Sequence, residues 1–429
     1  MTALRYALLC VFLLVQSAHA GLSPVEKQIT QVICVNQTAQ LKLLEQLVNI
    51  NSGTTNLSGI HQVGEILRPQ FEALGFHTQW LEEPETMHRA GTLIASRQGK
   101  QGKRILLIGH LDTVFAQDNP FQHFERHGSI ARGPGVIDDK GGVIIILYAL
   151  KALAVVHALD NCTLTVVLTG DEEESGKPTS ISRKPLIDAA RNSEVALDFE
   201  WSITRDTATI ARRGISSWLL KTSGIEAHSS EIFQKTAGYG AVFELVRILD
   251  AMRSQLSGQQ YLTFNPGIVL GGSQLTYNKD RSEGSVSGKA NVITKTALAK
   301  GDLRFLTAAQ EADAKNKILS IVKQHLPNTT ASIHFEAGIP GMAPTLNNKD
   351  LLNQYSQASQ DLGFGLIKPL DPAVRGAGDI SYIAAIVPFN LAGLGALGTG
   401  AHSVNETLDI NSLPIQTQRA ALLIYRLTK

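Results

Sequence analysis

The sequence predicts an α/β fold: a mostly parallel sheet flanked by helices, with a smaller α+β unit inserted into it. Three observations carry this. Ile105-Leu106-Leu107-Ile108 and Leu164-Thr165-Val166-Val167-Leu168 are continuous apolar runs, as expected of strands covered on both faces. A helical pattern over about Gly141–His157 lies between them, and strand, crossover helix, strand is the grammar of a parallel sheet. Near Arg213 the pattern changes to alternating strands with two helices, and from Leu351 the first pattern returns.

The elements follow in order. Residues 1–20 read as a secretory signal peptide rather than a buried N-terminal helix. Arg5 supplies a positive n-region, Tyr6 to Val15 a short apolar run, and Ala18-His19-Ala20 a cleavage signal. That run is too short to span a bilayer, so a protein secreted or periplasmic, with no transmembrane segment in the mature chain, is expected. Apolar residues from Ile29 to Val48 recur at helical spacing over about Pro24–Ile50. A second helix is predicted over about Gly59–Leu74, ending at Gly75 as a C-cap. Short apolar runs at His77–Leu81, Gly91–Ser96 and Arg104–Ile108 read as strands. Beyond Arg213, strands are predicted at Ile215–Thr222, Gly267–Gly271, Lys289–Thr294, Thr296–Leu306 and Ser332–Glu336. Helices are predicted over about Ala237–Leu256 and Ala308–His325. A strand at Val387–Leu391 and a helix at Ile415–Leu427 complete the chain. The reading is a discontinuous catalytic domain, 21–213 and 339–429, interrupted by a smaller domain, 214–338.

Composition agrees. The chain has 429 residues, long for one core, with 43% hydrophobic and 18% charged residues. A formal net charge of +1 argues against a nucleic-acid binder. With 37 glycines but no low-complexity tract or repeat, a disordered scaffold, a solenoid and a propeller are excluded. Removing the signal peptide takes Cys10, and Cys34 and Cys162 are expected to be buried free thiols, since a large core needs no staple.

Five polar clusters follow apolar runs. Gly109-His110-Leu111-Asp112-Thr113 offers a metal-binding His with an Asp able to fix its tautomer. Gly133-Pro134-Gly135-Val136-Ile137-Asp138-Asp139-Lys140-Gly141-Gly142 brings two carboxylates to a helix entrance. Asp171-Glu172-Glu173-Glu174 crowds acids at the end of a buried strand, where a bound cation would relieve the repulsion. Asp198-Phe199-Glu200 and Ala401-His402-Ser403 complete the set. Two His and three carboxylates, one of them shared, suit two Zn²⁺ ions with an open position.

Together these motifs resemble the di-zinc aminoacylase and carboxypeptidase superfamily, which includes acetylornithine deacetylase and succinyl-diaminopimelate desuccinylase. The wording is most similar to bacterial glutamate carboxypeptidase in Leu47–Ile50, Gly59–Phe76, Gly133–Gly142 and Asp171–Glu173. The resemblance covers nearly the whole mature chain and implies a zinc-peptidase-like catalytic domain. It implies two Zn ions per chain, with Co or Mn as alternatives. His110 and Glu200 would bind one ion, Glu173 and His402 the other, and Asp138 would bridge them. It also implies a cis Asp138–Asp139 peptide, with Asp112 orienting His110. Asp198 competes with Glu200 as a ligand.

The implied reaction is metal-assisted hydrolysis of an amide bond in a small peptide or N-acyl amino acid. Glu172 would be the general base, taking a proton from water and delivering it to the leaving amine. The inserted domain would mediate a homodimer and lend His228, in Gly224-Ile225-Glu226-Ala227-His228-Ser229, to the partner's site as an oxyanion stabiliser. Asn291 and Arg304 match positions that hold the substrate's carboxylate and amide. One departure concerns specificity. Glu336-Ala337-Gly338-Ile339-Pro340 lacks the Arg that bacterial glutamate carboxypeptidase carries there. This calls C-terminal glutamate specificity into question and leaves amide hydrolysis standing.

Rival readings are weaker. Gly393-x-Gly395-x-x-Gly398 matches a dinucleotide fingerprint by letters, but Thr399-Gly400-Ala401-His402 continues a loop rather than a helix. His123, Glu125 and His127 lack the order of a helical metalloprotease site, and no Gly-x-Ser-x-Gly elbow occurs. An N-acyl-amino-acid deacylase or dipeptidase would share the same residues. A non-catalytic binding protein on this scaffold is the alternative outside enzymes.

Overall fold

The computed structural model describes residues 21–279 and 281–429. The expected signal peptide lies outside the described residues. The helical stretch expected at 24–50 is two helices, α1 (Pro24–Val35) and α2 (Gln37–Val48), separated at Asn36. Ser23 and Glu26 close a capping box at the start of α1. Helix α3 (Leu57–Glu72) is closed as expected by Gly75, at φ 78°: Gly75 N–H donates to Glu72 O at 2.9 Å and Phe76 N–H to Phe71 O at 3.2 Å.

Strands β1 (His77–Leu81), β2 (Thr92–Arg97) and β3 (Gln101–His110) follow. Helix α4 (Lys140–Val155) leads to β4 (Cys162–Thr169), and α5 (Lys184–Arg191) to β5 (Val195–Asp198). The chain then leaves this layer. It builds β6 (Gly214–Gly224), α6 (Gly240–Leu256) and β7 (Thr263–Gly272). A hairpin of β8 (Gln274–Asn278) and β9 (Glu283–Ser287) comes next, then β10 (Thr296–Phe305), α7 (Ala308–Val322) and β11 (Thr329–Ala337). Helix α8 (Leu346–Asp361), β12 (Phe389–Leu391) and α9 (Ser412–Leu427) return to the first layer.

The first sheet has the order β1-β2-β4-β3-β5-β12, antiparallel at β1/β2 and β2/β4 and parallel from β4 onward. Helix α4 is apolar on every side because it lies against the sheet with α1, α2 and α9 packed over it. A Cβ at Gly142 would stand 2.0 Å from Phe199 O, so glycine lets the start of this helix approach the end of β5. The opposite face of the sheet is covered by Leu186 and Ala190 of α5 with Ile380 and Ile383.

The second sheet, β7-β10-β6-β11, is wholly antiparallel and has its own core of Trp218, Leu245, Ile248, Leu303 and Ile318 under α6 and α7. The strand expected at Lys289–Thr294 is absent; those residues form an irregular turn. The β8–β9 hairpin was not expected. It lies over the sheet face away from the helices, where Lys300 Nζ approaches the Tyr277 ring at 5.8 Å and Lys279 pairs with Glu336 at 2.8 Å. Chain entry and exit run side by side. Arg212 and Met342 exchange both backbone bonds at 3.0 and 2.9 Å, and Ile215 N–H donates to Ile339 O at 2.9 Å.

Both cysteines are free as expected, but only Cys162 is buried; Cys34 is exposed, on the outer side of α1. Among the described residues no helix is long and apolar enough to cross a membrane.

Candidate metal centre

Strands β4, β3 and β5 are neighbours and parallel, so their carboxyl ends lie together. That places His110, the Asp171–Glu173 run, and Asp198 with Glu200 along one rim. The two remaining clusters do not end strands of this sheet. Asp138 precedes the first turn of α4, and the loop of His402 belongs to a small ribbon beside the sheet. In that ribbon Ile130–Arg132 pairs with Thr407–Asp409, which pairs with Gly398–Thr399. The loops leaving these short strands carry Asp138 and His402.

Glu406 ties the two loops together. Its buried carboxylate accepts N–H bonds from Gly135 (3.0 Å), Ile137 (2.9 Å) and Asp138 (3.1 Å). Asp112 does the same for the acidic run. One oxygen accepts the Glu172 N–H at 3.0 Å, and the other accepts the Glu173 N–H at 3.1 Å and the Thr54 hydroxyl at 2.7 Å. Asp112 Oδ1 also lies 3.3 Å from His110 Nδ1, whose other neighbour is the Asp112 carbonyl at 3.1 Å. One residue thus sets the ring of His110 and the position of both glutamates.

The side chains converge on Asp138. Its Oδ1 lies 3.0 Å from His110 Nε2, and its Oδ2 lies 2.8 Å from His402 Nε2. His402 Nε2 is also 3.2 Å from Glu173 Oε2. His110, Asp138 and Glu173 each offer a ligand atom within 4.8 Å of the others. Burial opposes a charged His110, yet Asp112 and Asp138 outweigh it and hold the imidazole well above its usual pKa. Asp138 and Glu173 push His402 up to about 11. Burial raises Glu173 to about 7 and, with the charge of Glu200 next, pushes Glu172 well above the carboxylate range.

These residues fit a divalent cation. Asp138 Oδ2 and Glu173 Oε1 are buried without a hydrogen bond, and the close contact of Asp138 Oδ2 with His402 lacks hydrogen-bond alignment. The carboxylates demand positive charge at both histidines, which a cation would supply while leaving the imidazoles neutral. The donors are all imidazole nitrogen and carboxylate oxygen, a set suited to zinc. The Asp138–Asp139 peptide is cis.

Glu200 is held by arginines. Arg212 and Arg375 both donate to its Oε2, at 3.0 and 2.5 Å. Asp198 uses Oδ1 for the Glu200 N–H at 3.4 Å and faces Arg212 with Oδ2 at 3.3 Å. Glu200 Oε1 is left without a hydrogen bond among the described residues.

The other sequence-predicted residues lie on the smaller sheet's unit. His228 and Asn291 are neighbours: His228 bridges Val292, and Ser229 N–H donates to Asn291 O at 2.9 Å. Both are exposed, and no hydrogen bond or ion pair links them to the buried cluster among the described residues. Arg304 pairs with Asp302 at 2.9 Å and faces the loop at Gly376. A cleft of about 590 Å³ lies between the two units, lined by Arg89, Glu174, Lys177, Ser216, Glu336 and Tyr382 among others. Ser216 Oγ is buried there without a partner. Sequence reasoning missed Glu406, Arg212 and Arg375. The only signals were an acid four residues beyond His402 and an arginine at the end of the Thr207–Ala211 segment.

A family model described as peptidase family M20/M25/M40 matches residues 106–426. Carboxypeptidase G2 of Pseudomonas sp. (strain RS-16) is 29% identical over 397 residues, covering 90% of this chain and 89% of that protein. The succinyl-diaminopimelate desuccinylase of Cupriavidus necator is 23% identical, covering 87% and 95%. Among solved structures, aminopeptidase PepT from Bacillus cereus superposes with a TM-score of 0.72 at 16% identity, covering 92% of this chain and 99% of that one. The Bacillus subtilis YXEP protein, described as a dinuclear metal binding peptidase from the M20 family, gives 0.63 at 14% identity, covering 92% and 99%.

Proposed function

This chain belongs to peptidase family M20/M25/M40 and is a hydrolase of the metallopeptidase class; from that premise we propose that it cleaves an amide bond in small peptides or N-acyl amino acids with two zinc ions. The observation that carries the reading is the Asp138 carboxylate set between His110 and His402 with Glu173 beside it. In this reading His110, Asp138 and Glu200 would hold one ion, and Asp138, Glu173 and His402 the other. Bound zinc would supply Lewis acidity toward the scissile carbonyl and toward water.

The chain's own residues do the rest. Asp112 fixes the tautomer of His110 and, through the two backbone bonds it accepts, aims Glu172 and Glu173. Glu172 takes a proton from water on its carboxylate and hands it to the leaving amine. Arg304 and Asn291 hold the substrate's carboxylate and amide, Arg304 by a guanidinium fork. On the cleft wall Glu336 is paired with Lys279 and no arginine stands at Glu336–Pro340, so a C-terminal glutamate preference is left open.

The reading includes pairing through the inserted unit, residues 214–338. Val242, Phe243 and Val246 of α6 are exposed, beside β7, an edge strand with exposed Val269. A second copy would cover both, and would receive His228 at its own centre. Export rests on the signal-peptide pattern of residues 1–20.

The test is metal content of the purified mature protein, then turnover across blocked dipeptides and N-acyl amino acids. About two zincs per chain and cleavage of one substrate class are expected. Replacement Glu172→Ala should keep the metal and abolish turnover. A metal-free protein, or an active Glu172→Ala variant, would overturn the assignment. Cleavage of N-acyl amino acids alone selects the deacylase alternative, and cleavage of free dipeptides alone selects the dipeptidase.

A further inference from the structure

Asp138 separates two unlike groups of charges. On the side of Glu173 and His402, neither Glu173 nor Asp138 is ion-paired with a Lys or Arg among the described residues; their charged neighbours within ion-pair distance are histidines. On the other side two buried guanidiniums share Glu200 Oε2, Arg212 at 3.0 Å and Arg375 at 2.5 Å. Both arginines are built into the fold. Arg212 donates from Nε to Gly376 O (2.7 Å) and from Nη2 to Ala377 O (2.8 Å). Arg375 donates from Nη1 to Trp201 O at 2.7 Å and stacks 4.4 Å from the Trp201 ring centroid. A Cβ at Gly378 would stand 2.4 Å from Arg212 Nη1 and 2.5 Å from Glu200 Oε1, so glycine leaves the space these groups fill.

The two arginines are not equivalent. Asp198, 3.3 Å from Arg212, offsets that charge. Arg375 has no carboxylate partner but Glu200 among the described residues. Asp198 and Asp138 act on Arg375 only through space, so a cation on Glu200 competes for its one direct carboxylate partner. With Oε2 already shared by two donors, Glu200 has only Oε1 to offer.

We propose that Arg375 makes the two cation positions unequal, so that a divalent metal fills the position bounded by Asp138, Glu173 and His402 before the one bounded by His110, Asp138 and Glu200. This rests on the ligand assignment under Proposed function. A fixed positive charge a few Å from a divalent ion, at the effective dielectric of a protein interior, weakens binding on the order of tenfold or more. Arg375 is thus a positioning residue that sets the order of metal loading.

The experiment is competition for Zn²⁺ between a chromophoric chelator and the metal-stripped full chain, with Co²⁺ absorption spectra as a second readout. Wild type should load in two steps separated by at least about tenfold in free Zn²⁺. The His402→Ala variant should lose the earlier step, and Glu200→Ala the later one. The Arg375→Gln variant should strengthen the later step on the order of tenfold and leave the earlier one in place, whereas Arg375→Lys should keep the separation. Coincident steps in wild type, the reverse loss pattern in the two ligand variants, or an unmoved later step in a folded Arg375→Gln protein would overturn the proposal. A wild-type chain that binds no zinc would instead overturn the ligand assignment beneath it.

Discussion

The two sheets both bury apolar cores but differ in how much charge they bury with them. Around the six-stranded sheet, Asp112, Asp139, Asp171, Arg183, Asp198, Glu200, Arg212 and Arg375 are all buried. The four-stranded sheet closes over Trp218, Leu220, Leu245, Ile248, Leu303 and Ile318, with Glu244 its one buried carboxylate among the described residues. Buried charge is costly unless paired, and it survives where a large apolar core offsets that cost. The larger unit has that core, in α4 and the strands around it. The desolvated charge is concentrated there, whereas His228 and Asn291 of the smaller unit are exposed.

The comparison makes ordered predictions. The largest effect is at Glu172: replacement by Ala should lower turnover by about 10²–10⁴-fold in a steady-state assay, with zinc content by elemental analysis unchanged. Next is His228→Ala, expected to lower turnover by roughly 10–10³-fold while metal affinity stays constant. An unchanged rate would reduce the smaller unit's exposed groups to bystanders. Third, Asp112→Ala leaves two backbone N–H groups and the Thr54 hydroxyl without their acceptor. It should reduce zinc affinity by roughly 10–100-fold and lower stability by about 1–3 kcal/mol or more in chemical denaturation. Fourth, Trp218→Ala empties the smaller core and breaks the bond from its ring N–H to Asp302 O at 3.0 Å. A loss of about 3–5 kcal/mol is expected, with zinc per folded chain unchanged. If zinc falls in step with stability, the units are not energetically separate. Smallest is Arg253→Ala, which removes an exposed pair with Asp250 at 2.8 Å and should shift stability by no more than about 0.5 kcal/mol.

Much of this was legible in the sequence for a physical reason. A strand buried on both faces has to be apolar throughout, so Ile105–Ile108 and Leu164–Leu168 announce themselves, and polar residues placed directly after them stand out. His110, Asp112 and the Asp171–Glu173 run were found that way. Other features leave no local trace. The break at Asn36 is invisible to periodicity because apolar spacing continues on both sides of it. The hairpin of β8 and β9 is made of exposed polar residues such as Glu283 and Ser285, so no pattern marks it. Arg375 looks like any surface arginine until the fold brings it to Glu200, 175 positions away in the chain. Cys34 was expected inside by residue type alone, but the helical register of α1 turns it outward.

The chain leaves the larger unit after Arg212 and re-enters it at Met342, and these two residues are hydrogen-bonded neighbours. A short turn could therefore join the two crossings directly, at the small entropic cost of closing a short loop. The inserted unit is in this sense a removable cassette. It can be exchanged, lengthened or lost with little disturbance to the strand ends that carry the buried charges. Changes in its sequence and length can accumulate there while the loops bound to Glu406 and Asp112 keep their geometry.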